Sequence, residues 1–231
     1  MTELLQLPLL WTTVTVAVFL IGQYIYRISG HSPLLPPILS AVTLLVALLL
    51  LTNTPYPVYM QGGELLHIML GPVIVMLAVP FYQYVHTMRR QWPRILLAIS
   101  AGSATTIGVA ALLADWWIGI DSISRTIATK SITTPVAVAI SEQTGGLAAL
   151  ASAFVIVTGI FGALMAPAIL RWIKRDDAAT VGLTLGVCAH AIGTSRAMEL
   201  GQQQAAYAAL AMTLTATLHA VFLPLLLPWL I

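Results

Sequence analysis

Long apolar stretches alternate with short polar ones along this chain. Six stretches stand out: Trp11–Tyr26, Leu34–Leu51, Leu65–Tyr84, Ile95–Ala114, Leu147–Leu170 and Ala205–Leu230. Most approach or exceed the roughly 20 residues that a helix needs to cross the hydrocarbon core. They predict an all-α polytopic membrane protein with six full spans. Two further pieces are membrane-sized but less apolar. Asp121–Gln143 contains Arg125, Lys130, Pro135 and Glu142, and Thr180–Gln204 contains His190, Arg196 and Glu199.

Composition strengthens the membrane assignment. Of 231 residues 59% are hydrophobic and 8% charged, with a mean hydropathy of +0.93, whereas soluble domains carry about 25% charged residues. Trp11, Trp92, Trp116, Trp117, Trp172 and Trp229 all lie near segment ends, where an aromatic belt would meet the headgroups. A net charge of +2 is too small to imply a nucleic-acid partner. The lone Cys188 excludes an intramolecular disulfide and implies no redox role. Met1-Thr2-Glu3 lacks the basic region of a signal peptide, so the mature chain is expected to begin near residue 1.

Charge placement gives a topology. Of ten Lys and Arg residues, seven sit in three short loops: Arg27; Arg89, Arg90 and Arg94; Arg171, Lys174 and Arg175. Thr54–Gly63 and Asp115–Asp121 hold none. The positive-inside rule makes the basic loops (27–33, 86–94 and 171–177) cytoplasmic and the N-terminus external. Four spans then return the chain to the outside near Trp116. Only one net crossing remains between 121 and 171, so Asp121–Gln143 is expected to dip into the bilayer and return. Thr180–Gln204 is expected to do the same before the last span. Irregular backbone at that depth is tolerated where protein or an aqueous cavity surrounds it. The alternative makes both pieces ordinary amphipathic spans, with basic loops on both faces.

An internal match supports the first version. At an offset of 60 residues, Ile132, Thr134, Ala137, Gln143 and Ala148-Ala149-Leu150-Ala151 fall on Ile192, Thr194, Ala197, Gln203 and Ala208-Ala209-Leu210-Ala211, with Lys130 opposite His190. A unit of one re-entrant piece and one span crosses once, so two such units form an inverted repeat, as in many secondary transporters. The expected organisation is a four-span scaffold, 1–120, that also supplies a homodimer contact. An inverted-repeat transport domain, 121–231, follows, with repeat units 121–172 and 180–231.

Candidate chemistry sits in the two re-entrant pieces. In Lys130-Ser131-Ile132-Thr133-Thr134-Pro135, threonine is a usable cap and proline suits a first helical turn. Pro135–Ser141 therefore reads as a half-helix whose N-terminus, an anion-favouring end, opens beside Lys130. In His190-Ala191-Ile192-Gly193-Thr194-Ser195-Arg196, Gly193 permits a break, Thr194 or Ser195 can cap, and Arg196 can grip a carboxylate through two hydrogen bonds. Glu142 and Glu199 are candidates for proton coupling. The bland alternative pairs Arg196 with Glu199 at i, i+3 and lets Arg125 and Lys130 snorkel to the interface. Intramembrane charge nonetheless costs roughly 2.5–3.5 kcal/mol even on insertion scales, which favours function. His67, His86 and His219 are isolated and read as packing residues. No metal-ligand spacing, cofactor motif or nucleophile elbow is present, so no enzymatic activity is expected.

At these motifs the chain resembles the LrgB/CidB family of bacterial membrane proteins. The resemblance rests on Lys130 to Ala137, Gly145-Gly146, Thr158-Gly159-Ile160-Phe161-Gly162-Ala163, His190 to Gly201, and Leu70 to Tyr82. It covers about residue 55 to the end; the first two spans match only in hydropathy. It implies two functions. One is holin-like or antiholin-like control of murein hydrolase activity and autolysis, beside a small LrgA/CidA-like membrane partner. The other is carriage of a small monocarboxylate, because the family is similar to the plastid glycolate/glycerate carrier and its bacterial members are linked to pyruvate. The plastid relatives' transit peptide and fused N-terminal half have no counterpart here, which favours the bacterial inner membrane. Gln202-Gln203-Gln204 departs from the acidic residues common there and argues against proton coupling at that stretch. The leading expectation is a secondary transporter of the pyruvate/glycolate class. Lys130 and Arg196 would bind the anion, and Thr133, Thr134, Thr194 and Ser195 would orient it.

Overall fold

The computed structural model describes residues 7–30, 35, 37–76 and 78–230, all of them in helices, turns or short connections. The helices are α1 (Pro8–Ile28), α2 (Pro37–Leu51), α3 (Tyr56–Met76), α4 (Ala78–Arg89), α5 (Trp92–Ile118), α6 (Asp121–Ala128), α7 (Thr134–Gln143), α8 (Ala148–Trp172), α9 (Ala178–Leu200) and α10 (Gln202–Leu230). Five of them, α1, α5, α8, α9 and α10, are long and apolar enough to cross a membrane; α2 is shorter. This is a multi-pass membrane protein. Local chemistry sets several ends. Prolines occupy the first turns of α1, α5 and α7, and Gly119 ends α5 in the left-handed region at φ 61°. The Asp177 carboxylate caps α9 by accepting from the Thr180 N–H at 3.0 Å.

The chain divides into two compact units, Met1–Met76 and Leu77–Ile231. In the first, α1 packs on both α2 and α3. Glycines let the backbones touch. A Cβ on Gly62 would stand 2.2 Å from the Pro8 carbonyl oxygen, and one on Gly22 would stand 2.6 Å from that of Pro37. Thr12 donates to the Gly62 carbonyl at 2.7 Å. Trp11 is buried, its ring edge-on to Tyr59 at 5.9 Å, so it belongs to this core and not to an aromatic belt. Trp116, Trp117 and Trp172 stay exposed, as a belt requires.

In the second unit α4 packs against α10, and α5 against α9 and α10, so α4 and α5, expected within the scaffold, share a unit with the two pieces expected to be re-entrant. Three long helices, α5, α8 and α10, act as rails. Their ends contact different partners. Ile107 and Ala111 of α5, Ala151 and Val155 of α8, and Leu223 and Leu227 of α10 share one cluster with Ala128, Ile132, Ala137 and Ile140 of the α6–α7 region. The opposite ends of the rails gather around α9. Ile95 and Ile99 cluster with Val187, Ala206, Tyr207 and Leu210, while Ala166 and Leu170 cluster with Val181, Leu185, Ala197 and Ala208. The α6–α7 region and α9 therefore occupy opposite ends of the same three rails.

Candidate functional site

Asp121–Gln143 forms a closed hairpin. Arg125 donates from Nη1 to the Thr144 carbonyl at 3.0 Å. The Leu147 N–H reaches Thr126 Oγ1 at 2.8 Å, and Thr129 and Ser141 hydroxyls meet at 3.4 Å. Its two ends thus lie together, and Gly145 turns the chain at φ 77° into α8. Lys130, Ser131 and Ile132 form the inner turn. Thr133 stands at the N-cap of α7, with Thr134 and Pro135 in the first turn, but the Thr133 hydroxyl makes no capping hydrogen bond. The expected half-helix is present and slightly longer than Pro135–Ser141.

The second hairpin is hidden inside α9. Its length alone suits one crossing, but His190 adopts φ 42° and ψ −127° and breaks it. The halves then fold back, because a Cβ on Gly193 would stand 2.2 Å from the Leu185 carbonyl oxygen and 2.7 Å from Ala189 Cβ. Eight residues of unbroken helix would separate those positions by about 12 Å. The break expected at Gly193 therefore falls at His190. Gly193 instead provides the close approach that only a residue without a side chain allows. His190 is buried with its Nε2–H donating to the Val155 carbonyl at 3.0 Å. Thr194 donates to the His190 carbonyl at 2.9 Å and touches Met212 Sδ at 3.7 Å.

The other expected residues are dispersed. Arg196 is ion-paired with Glu199 one turn later on α9, and both are partly exposed. Ser195 and Glu142 are exposed. Lys130 behaves differently. It is half-buried and borders a largely apolar groove of about 450 Å³, lined by Val109, Leu113, Trp117 and Ile118 among others. It also lies within electrostatic reach of Cys188 and His219.

Several buried polar groups were not among the candidate site residues. On α10, Met212 touches Thr194 of α9, and Leu223 clusters with the first hairpin. Thr215 and His219 fall between, one turn apart on a shared face. On α5, Gly102 meets Val187 and Ile107 meets the first hairpin; Ser103 falls between them. Ser103, Ser131, Thr215 and His219 are all buried. The three hydroxyls and both imidazole nitrogens make no hydrogen bond among the described residues. Buried polar groups are normally paired, so these stand out within the interior of the second unit. The missed signal was the spacing of Thr215 and His219 in an otherwise apolar span, which puts both on one face.

The LrgB-like family matches residues 15–229. Among similar proteins, uncharacterized protein YwbG of Bacillus subtilis is 36% identical over 83% of this chain and 85% of its own length. Protein YxaC of the same organism is 34% identical over 91% of both chains. Antiholin-like protein LrgB of Bacillus mycoides is 28% identical over 96% of both. No solved structure matches. With nearly the whole chain matched, this protein belongs to the LrgB-like family.

Proposed function

We propose that this chain is a secondary transporter that carries a small monocarboxylate of the pyruvate/glycolate class across the bacterial inner membrane. The observation that supports it is the pair of hairpins packed on shared helices, with a half-buried lysine, Lys130, in the inner turn of the first. Units 121–172 and 180–231 then act as an inverted repeat, each one hairpin and one span, with a binding level near the midplane. The basic loops face the cytoplasm. Lys130 supplies the charge for the carboxylate, and the N–H groups of the α7 first turn add a favourable dipole. Arg196, already paired with Glu199, takes a secondary role outside the binding level. Alternating access moves the hairpin pair against the remaining helices. A homodimer is the expected assembly.

A second function is favoured by the relatives named antiholin-like protein LrgB. In it the chain regulates murein hydrolase activity beside a small LrgA/CidA-like membrane protein and carries nothing. Uptake of labelled pyruvate and glycolate into proteoliposomes separates the two. Saturable uptake that Lys130→Gln abolishes, while Arg196→Ala only weakens it, supports the carrier. No uptake of either acid, together with co-purification of the small partner, supports the regulator.

A further inference from the structure

We infer that the recess at the mouth of the first hairpin holds the phosphodiester of an anionic phospholipid, with Arg125 as its cation; this site is independent of the carrier function proposed above. The recess measures about 360 Å³ and is lined by Arg125, Gln143, Thr144, Gly145, Pro224 and Leu227. Its walls come from both arms of the hairpin mouth and from the C-terminal end of α10. Just before the hairpin α5 ends at Gly119, and just after it α8 starts at Ala148. Three spans therefore end at this level, where the exposed Trp116 and Trp117 also lie, and this sets the recess at headgroup depth. Between Arg94 and Arg171 the only basic residues are Arg125 and Lys130, and Lys130 belongs to the inner turn. Asp115, Asp121 and Glu142 are exposed, and none forms an ion pair with Arg125 among the described residues. The half-buried guanidinium of Arg125 has five donors. Nη1 donates to the Thr144 carbonyl at 3.0 Å, which fixes the fork. Nε is enclosed, whereas Nη2 is neither enclosed nor bonded. Such a fork suits phosphate oxygens, and Pro224 and Leu227 give the glycerol and first acyl carbons an apolar wall. A free phosphate would have no use for that wall.

The test follows amide exchange at residues 144–147 of the full chain in lipid nanodiscs. Discs of phosphatidylcholine, whose headgroup brings its own cation, are compared with discs that also contain phosphatidylglycerol. A third arm adds inorganic phosphate to the phosphatidylcholine discs. Gln143→Glu places a resident carboxylate in the recess while the bond from Arg125 to Thr144 stays; Gln143 is exposed, so the fold is kept. In wild type, phosphatidylglycerol is expected to slow exchange by about tenfold, as a ligand at ten times its Kd does for a local opening. In Gln143→Glu the lipid should have no such effect, and inorganic phosphate should have none in either protein. If inorganic phosphate slows exchange as much as the lipid does, the recess takes a free anion and the lipid assignment is overturned. If phosphatidylglycerol slows wild type and Gln143→Glu equally, or leaves wild type unchanged, the site itself is overturned.

Discussion

The imidazole of His190 is anchored by the carbonyl of Val155 while its own backbone stands in a conformation that L-residues avoid. Its φ and ψ of 42° and −127° match the first central position of a type II′ turn, which favours glycine. The strain is worth about 1–3 kcal/mol, and the anchoring bond offsets it by about 1 kcal/mol. Replacement by glycine removes both contributions, whereas replacement by alanine removes only the favourable one. His190→Gly should therefore be more stable than His190→Ala, as judged by thermal unfolding. The reverse order would show that the ring's packing outweighs the backbone.

The anchoring partner helix has been shaped for that ring. A Cβ on Gly159 would stand 2.8 Å from His190 Cε1 and 3.0 Å from Nε2. The ring is buried and cannot swing away, so Gly159→Ala is expected to destabilise by about 1–3 kcal/mol through overpacking. Reduced yield of monodisperse protein and a lower melting temperature are the readouts.

Gly193 and Gly108 offer a matched comparison. Gly193 faces the backbone carbonyl of Leu185, which no side-chain movement can relieve, whereas a Cβ on Gly108 meets nothing within 4 Å. Gly193→Ala should prevent the fold-back of α9 and leave little folded protein. Gly108→Ala, in the interior of α5, should stabilise by about 0.5–1 kcal/mol through helix propensity. Equal melting temperatures for the two variants would argue against the hairpin within α9.

Arg125 closes the mouth of the first hairpin through Thr144 and lines a recess of about 360 Å³ with Gln143, Gly145, Pro224 and Leu227. Arg125→Met should cost about 1.5–3 kcal/mol, the range for hydrogen bonds to charged groups. The loss should show locally as faster amide exchange at Gly146 and Leu147, whose N–H groups bond to the Ser141 carbonyl and to Thr126.

Asp177 gives a pH dependence with a definite sign. Hydrogen bonds from Thr180 hold its pKa below the ordinary carboxylate value. Its contribution is thus fully present above that ordinary value and fades as the pH falls through the lower folded one. Asp177→Ala should cost about 0.5–2 kcal/mol at neutral pH, and the gap to wild type should shrink in acid. Melting curves at both conditions decide it.

Local chemistry made it legible in the sequence that neither piece is a plain apolar span. Arg125, Lys130 and Pro135 spoil a clean span, and the loop charges left only one crossing for two pieces. Glycines were legible as special but not in their roles, because Gly193 serves a contact with Leu185 that only the folded chain creates. Trp11 looked like its five counterparts, since nothing nearby in sequence announces Tyr59 as its neighbour. The pairing of Arg196 with Glu199 was readable from their i, i+3 spacing. Least visible were the unpaired buried polar groups. Ser103, Ser131 and His219 come from three distant stretches, and His219 alone in a span resembles any packing histidine.

Cys188 gains a use from its neighbours. It is the chain's one thiol, half-buried two residues before the α9 break and within reach of Lys130. The native protein is therefore already a single-cysteine reporter. A membrane-impermeant maleimide, applied from either face of oriented vesicles, would record which side water enters from, and slower labelling in the presence of an acid would time its occupancy.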